Sequence, residues 1–184
     1  MREFDIRDWY WMRDDGSIFS SAKGEIVSES DPDFVAWTSA GGSPSNWPRD
    51  AQGSQTTAAL QEVLTPYGLF ADMVAYANAV QWARAVGGYQ AVVGGKPVTF
   101  STSTESMGLM VGKVARLQQA NPPASVFWQV GPVDFVSIPA TDFPAIATAV
   151  ADFVQSTFDK LSAALAAIAA GTITTRDQVD AALA

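Results

Sequence analysis

The chain contains no cysteine and no histidine. That removes disulfides, thiol nucleophiles, Cys/His zinc sites and the imidazole on which most acyl-transfer triads depend. Charge is sparse as well. Only 16% of the 184 residues are ionic, and 11 basic residues face 19 acidic ones, a net charge of −8. No cluster of Lys and Arg interrupts this balance, so the mean field repels phosphate backbones and nucleic acid is not an expected partner. Long apolar runs are missing too. The most apolar stretch, LSAALAAIAAGTI at 161–173, is thirteen residues rich in alanine, too short and too weakly hydrophobic to span a bilayer. The opening MREFDIRDWYWMRDDG has charges every few residues and no apolar core of signal-peptide length. Neither a cleaved leader nor a membrane partner is therefore expected, and the product should be soluble and cytoplasmic.

What is present is ample apolar material. Hydrophobic residues make up 48% of the chain, enough for one ordinary domain or two small ones with a core of their own. Residues 8–27 alternate aromatic or branched residues with polar ones and are punctuated by the turn dipeptides Asp15-Gly16 and Lys23-Gly24, the pattern of a three-stranded antiparallel meander. Strands this short need a partner for their apolar face. The segment DPDFVAWTSAGG supplies one, with Asp31 as N-cap, Pro32 at the first helical position, Phe34, Val35 and Trp37 as contacts, and Gly41 as the stop. GGSPSNWPRDAQGS at 41–54 is dense in Gly, Pro and Ser and reads as a linker. The domain boundary is placed there: an N-terminal module at 1–54 and a C-terminal domain at 55–184.

The C-terminal part opens with a short helix closed by Pro66 and Gly68, then a longer one with apolar residues between 69 and 82, ended by Gly87 and Gly88. The next stretch, GGYQAVVGGKPVTFSTSTES at 87–106, invites comparison with a phosphate-binding loop. Such a loop needs Gly-Lys-Ser/Thr opening a helix. Here Gly95-Lys96 precedes Pro97, which removes an amide donor, and the alternating VTF continues a strand. The reading is a β-hairpin turning at Gly94-Gly95. A helix follows, capped by Thr102 or Ser103, with Met107, Met110, Val111, Val114 and Leu117 at helical spacing as core filler. A second hairpin turns at Gly131-Pro132. Thr141 or Asp142 then caps one helix of nearly thirty residues ending at Gly171. Its alanine-rich second half either projects toward a partner chain or is covered by a last helix in TTRDQVDAALA, capped at Thr174 or Thr175. The fold class is α+β: a small meander with a short helix, then a helical domain with two hairpins and one long C-terminal helix.

Carboxylates gather at Asp14, Asp15, Glu29, Asp31 and Asp33, and Asp134 and Asp142 flank the second hairpin. Glycosidase chemistry needs two such groups facing across a cleft. Turns, caps and solvated loop ends account for all of these, and no calcium loop with a closing glutamate is present. No catalytic residue, cofactor or metal ligand is assigned. The tryptophans are the more unusual feature, with Trp9, Trp11, Trp37 and Trp47 in the first fifty residues. Trp11 and Trp37 are expected in the core; Trp9 and Trp47 are candidates for presentation to a protein or carbohydrate ligand. Phe158, Leu161, Leu165 and Ile168 on the long helix are candidates for contact with a partner or a second copy.

The order helix, Gly-centred hairpin, capped helix, Trp-bearing hairpin and long helix, carried by GGYQAVVGGKPVTFSTS, VFWQVGPVDFVSIPATDF and VADFVQSTFDKLSAALAAIAAG, resembles a family. It is similar to the domain of unknown function common at the C-terminal end of bacteriophage and prophage tail and tail-fibre-associated proteins, over about 76–168. Trp128 and Gly131 match that family's pattern, whereas FSTST lacks the aspartate that usually follows its first hairpin. The N-terminal WYWMRDDGSIFSS through FVAWTSAGG looks like the small meander that opens phage tail-fibre assembly proteins. The resemblance implies a non-enzymatic tail protein that binds a tail-fibre or baseplate partner, located in the virion tail or in the host cytoplasm during assembly. An assembly chaperone that leaves the particle, a carbohydrate-binding tip and a polysaccharide hydrolase are the competing readings.

Overall fold

A computed structural model describes residues 3–184; Met1 and Arg2, the first two residues of the expected N-terminal module, lie outside the described residues. The chain divides into two compact units, one running to Tyr76 and joined by Thr174–Arg176, the other comprising Ala77–Ile173 and Asp177–Ala184.

In the first unit the meander forms as expected, with β1 (Tyr10–Met12), β2 (Ile18–Ser20) and β3 (Glu25–Val27) antiparallel in register, Trp11 opposite Phe19 and Phe19 opposite Ile26. Helix α1 (Pro32–Ser39) starts where its signals place it: the Asp31 carboxylate accepts from the amides of Asp33 and Phe34. The stretch expected to be a linker is part of the sheet. Within it, β4 (Ser45–Asn46) pairs parallel to β1, and the Trp47 amide donates to the Met12 carbonyl at 2.8 Å. Burial of the Trp47 ring decides this, because the backbone on either side of a buried anchor must find hydrogen-bond partners. Helix α2 (Thr57–Leu64) continues the same unit: Leu60 and Leu64 are buried in one core with Trp9, Trp11, Phe19 and Trp37. The first unit thus extends past residue 54, where the sequence places a boundary, because the meander alone lacks the apolar surface to close its core.

The second unit begins within α3 (Met73–Val86) and holds two separate hairpins. In the first, β5 (Tyr89–Val93) and β6 (Lys96–Phe100) are joined by Gly94 and Gly95, both at positive φ (57° and 80°). Two consecutive positive φ values define a type I′ turn, whose twist matches the strands and which glycine enters without steric cost. Helix α4 (Thr104–Leu117) follows, capped by the Ser103 hydroxyl, which accepts from the Ser106 amide at 3.2 Å. The second hairpin pairs β7 (Ser125–Gln129) with β8 (Phe135–Pro139). Phe100, Met110, Val126, Trp128, Ile138, Phe143 and Val150 form the core that joins both hairpins to α4 and to the first half of α5 (Phe143–Ala169).

The second half of α5 does not project. Helix α6 (Arg176–Leu183) returns beside it, burying Val179 and Leu183. The Lys160 ammonium donates to the Ala184 carbonyl at 2.9 Å, and the Arg84 guanidinium of α3 binds the Leu183 carbonyl. A buried hydrogen bond from Gln81 Nε2 to Thr157 Oγ1, 2.9 Å long, ties α3 to α5. Small residues at Ala77, Ala85 and Ala164 line this three-helix packing. Among the described residues no helix is long and apolar enough to cross a membrane.

Candidate functional site

The residues nominated from sequence are mostly interior. Trp9 and Trp47 are 7% and 2% exposed. The Trp9 indole donates to Ser45 Oγ at 2.9 Å and meets the Trp37 ring edge-on at a centroid distance of 5.0 Å. The Trp47 indole donates to the Thr56 carbonyl at 2.8 Å, and the Arg13 guanidinium lies 3.9 Å over its ring. Both indoles thus have their donor satisfied internally and are not presented to a ligand. A unit this small recruits every large ring it has to exclude water. On α5, Leu161 is buried and Leu165 and Ile168 are half-buried, whereas Phe158 is exposed. Of these four residues only Phe158 is exposed to solvent, so they do not present the continuous apolar face that their spacing suggested.

The carboxylates are committed locally. Asp14 pairs with Arg49 at 2.5 Å and accepts from Gln55. Asp15 accepts from the Ser17 amide, a bond that is the main cause of its lowered pKa. Asp31 caps α1 and binds Lys23 at 2.6 Å, and that bond comes first among the causes holding its carboxyl below the usual range. Glu29, Asp134 and Asp142 are exposed. Among the described residues no group of three or more acidic side chains is placed to hold a metal ion.

What the fold leaves uncovered is apolar and lies on α4 and the second hairpin. Alternation along β7 and β8 sends Val126, Trp128 and Ile138 into the core and turns Phe127 and Phe135 outward. Phe127 is 72% exposed and Phe135 64%. In the antiparallel register Phe127 faces Ser137 and Gln129 faces Phe135, so the two phenyl rings are diagonal neighbours on one face. Leu109 of α4 and Phe135 line a hollow of about 490 Å³ with Phe127 and Lys113, and Val133 at the hairpin tip is 84% exposed. A second apolar groove of about 370 Å³ runs between α4 and α5 past Met107, Val111, Val114 and Ala151. Val111, placed in the core stripe from its spacing, is in fact 70% exposed, because α4 packs through Met107, Met110, Val114 and Leu117 alone. The sequence held a signal for this surface. In β7 adjacent aromatics, Phe127 and Trp128, fall on opposite faces, so one of them must lie outside when only one face is covered, and Phe135 of β8 shares the outer face with Phe127.

A further exposed ring is Trp82 of α3, 63% exposed. The buried stripe of that helix is Ala77, Gln81 and Ala85, at spacing of four, which leaves position 82 about 100° away from it.

Among the described residues the exposed aromatics Phe127 and Phe135 thus share one hairpin face, with Lys113 lining the same hollow. No curated protein and no solved structure matches the chain. Residues 69–183, more than half of its length, match a protein-family model described as a domain of unknown function (DUF4376), and the chain belongs to that family.

Proposed function

We propose that the protein is a non-enzymatic binding module of a bacteriophage or prophage tail, associated with a tail-fibre or baseplate protein. The observation that carries the binding role is the outward aromatic pair Phe127 and Phe135 with Leu109 and Val133 around it. Isolated exposed apolar residues are ordinary, but a cluster of aromatics on a single sheet face costs solubility unless a partner covers it. The tail assignment rests on the resemblance of the two hairpins and the long helix to tail-associated proteins. The carbohydrate-tip reading loses its proposed platform with the burial of Trp9 and Trp47. A polysaccharide hydrolase needs converging acids, whereas of those nominated Asp14 and Asp15 are engaged in a salt bridge and a turn and Glu29, Asp134 and Asp142 are exposed in separate loops.

The experiment is co-expression with the fibre and baseplate proteins of the same phage, together with mass spectrometry of purified particles. A stable complex with one of those proteins and peptides of this chain in particles are the expected results. A complex without incorporation assigns the chain to assembly as a chaperone. Neither complex nor incorporation overturns the tail assignment.

A further inference from the structure

The outward face of the second hairpin continues into an unpaired strand edge. In β7 and β8 the ladder extends at both ends: the Ala140 amide donates to the Ala124 carbonyl at 3.0 Å, and the Val130 amide donates to the Asp134 carbonyl at 2.9 Å. Hydrogen-bonded and non-hydrogen-bonded pairs alternate along an antiparallel ladder. With Val126 opposite Ile138 and Trp128 opposite Val136, those two pairs carry the inner ladder bonds. The amide and carbonyl groups of Ser125, Phe127 and Gln129 therefore point away from β8. Among the described residues the sheet has two strands only, and no backbone pairs with them across that edge.

Helix α4 walls the same edge. Ser106, Leu109 and Lys113 face Phe127 and Gln129 across the hollow of about 490 Å³. Lys113, Arg116 and Leu117 face Ser125 and Phe127 across an adjoining one of about 270 Å³. Lys113 and Phe127 line both, so the two hollows form a trough between a helix and a free strand edge, the length of β7. Arg116 is occupied, its guanidinium reaching the Ala120 and Asn121 carbonyls at 3.5 and 3.2 Å. Lys113 makes no ion pair or hydrogen bond among the described residues. An acid stands at the other end: the Asp134 carboxylate lies against Gly131, where an added Cβ would come within 2.7 Å of it.

From this juxtaposition we infer that the edge of β7 is a strand-addition site for an extended segment of a partner protein, with an apolar side chain set against Phe127 and Phe135 and a carboxylate set against Lys113. Strand addition draws affinity from backbone hydrogen bonds and selectivity from alternate side-chain pockets. The five residues of β7 take a complement of about five or six residues at the rise of an extended chain. Charge decides against a second copy as occupant. Two β7 edges paired about Phe127 would bring the Lys113 that lines each trough to one interface, with no carboxylate on either β7 to meet it. An acidic partner strand meets attraction where a second copy meets repulsion. The Asp134 end of the trough directs the partner's carboxylate to the middle of β7 and away from the turn.

This inference rests on the reading of the protein as a binding module and names the chemistry of its partner. A displayed random library of peptides of about eight residues, enough to cover β7 with overhang, is selected against the full chain, the Lys113→Glu variant and the Phe127→Ser variant. Both substitutions are at exposed positions, and circular dichroism checks that each variant stays folded. Enrichment of proline-free, alternating peptides with an acid and an aromatic is the expected result. Each variant should weaken them by about tenfold or more. The bound peptide should slow amide exchange at Ser125, Phe127 and Gln129. No enrichment, peptides indifferent to both variants, or protection confined to α4 overturns the inference. So does sedimentation showing a dimer that either variant dissolves, which gives the edge to a second copy. Incorporation of the Lys113→Glu, Phe127→Ser double variant into particles at the normal level overturns strand addition and leaves the tail reading standing; absence of the unaltered chain from particles and fibre complexes overturns the tail reading and leaves the peptide result untouched.

Discussion

Gly42 shows how tightly single residues are constrained in the first unit. A Cβ there would stand 2.4 Å from two atoms of the Trp37 ring, which is itself held by Trp9 and Tyr10 at centroid distances of 5.0 and 4.9 Å. The indole would have to move out of these ring contacts to make room. Gly42→Ala should therefore cost about 1–3 kcal/mol by overpacking, read as a lower urea midpoint with unchanged slope; an unchanged midpoint would show that the ring yields. Lys23 supplies a second prediction, through bonds to Asp31 at 2.6 Å and Asp33 at 2.9 Å. The Asp31 carboxyl is held low chiefly by the Lys23 hydrogen bond. A carboxyl depressed in the folded state gives its full stabilisation above the usual carboxylate pKa and loses it as pH falls through the folded value. Lys23 is shifted upward by the hydrogen bonds of Asp31 and then Asp33, so its contribution is lost only as pH rises beyond the lysine range. Asp31→Asn keeps an oxygen to cap α1 but cannot pair with Lys23. Melting temperature plotted from about pH 7 down to about pH 2 should fall less steeply for that variant than for the parent, with Asp15 supplying part of the remaining slope. Parallel curves would refute the assignment.

Helix pairing in the second unit depends on a polar contact as well as on small residues. Gln81 is 4% exposed and Thr157 6%, and the threonine hydroxyl that accepts from Gln81 donates in turn to the Val154 carbonyl at 2.8 Å. Thr157→Val preserves shape while leaving the Gln81 amide buried without an acceptor, a loss of about 1–3 kcal/mol. Adding Gln81→Leu removes the orphaned donor, so the double variant should regain part of that stability, and the double-mutant cycle should be non-additive. Strict additivity would mean the two side chains do not depend on each other. The same helices show which face a close approach selects. Position 82 falls within an apolar run of α3, yet the face that packs is Ala77, Gln81 and Ala85. Close helix approach selects small side chains and leaves large ones such as Trp82 outside.

Two hydrophobic cores in one chain predict two unfolding units. Trp9, Trp11, Phe19, Trp37, Leu60 and Leu64 belong to one cluster, Phe100, Met110, Trp128, Ile138 and Phe143 to the other. Calorimetry should resolve two transitions, or one whose calorimetric enthalpy exceeds the van't Hoff value, and Gly42→Ala should move only the transition of the first unit. A single transition with equal enthalpies would show that the units unfold together. The net charge of −8 bears on association at this scale. On a chain this acidic, the acidic segment proposed above would be held through the local Lys113 cation, so binding at that trough should weaken as salt is raised.

Local signals were sufficient for most of the elements, with β4 missed because its stretch reads as a linker. Asp15-Gly16 and Gly94-Gly95 set turns, Asp31-Pro32 and Ser103 set helix starts, and Gly171 set a stop, because caps and positive φ angles are decided within a few residues. The sequence by itself also determined what chemistry is unavailable, through the missing thiols and imidazoles. Only the tertiary structure decided which large side chains face water. Trp47 went inside and drew β4 into the sheet, Leu161 is buried although it lies in the half of α5 that spacing left open to a partner, and Phe127 stayed outside because α4 and α5 cover a single face of its hairpin. Burial depends on which elements meet, a property of contacts far apart along the chain that no local pattern of spacing contains.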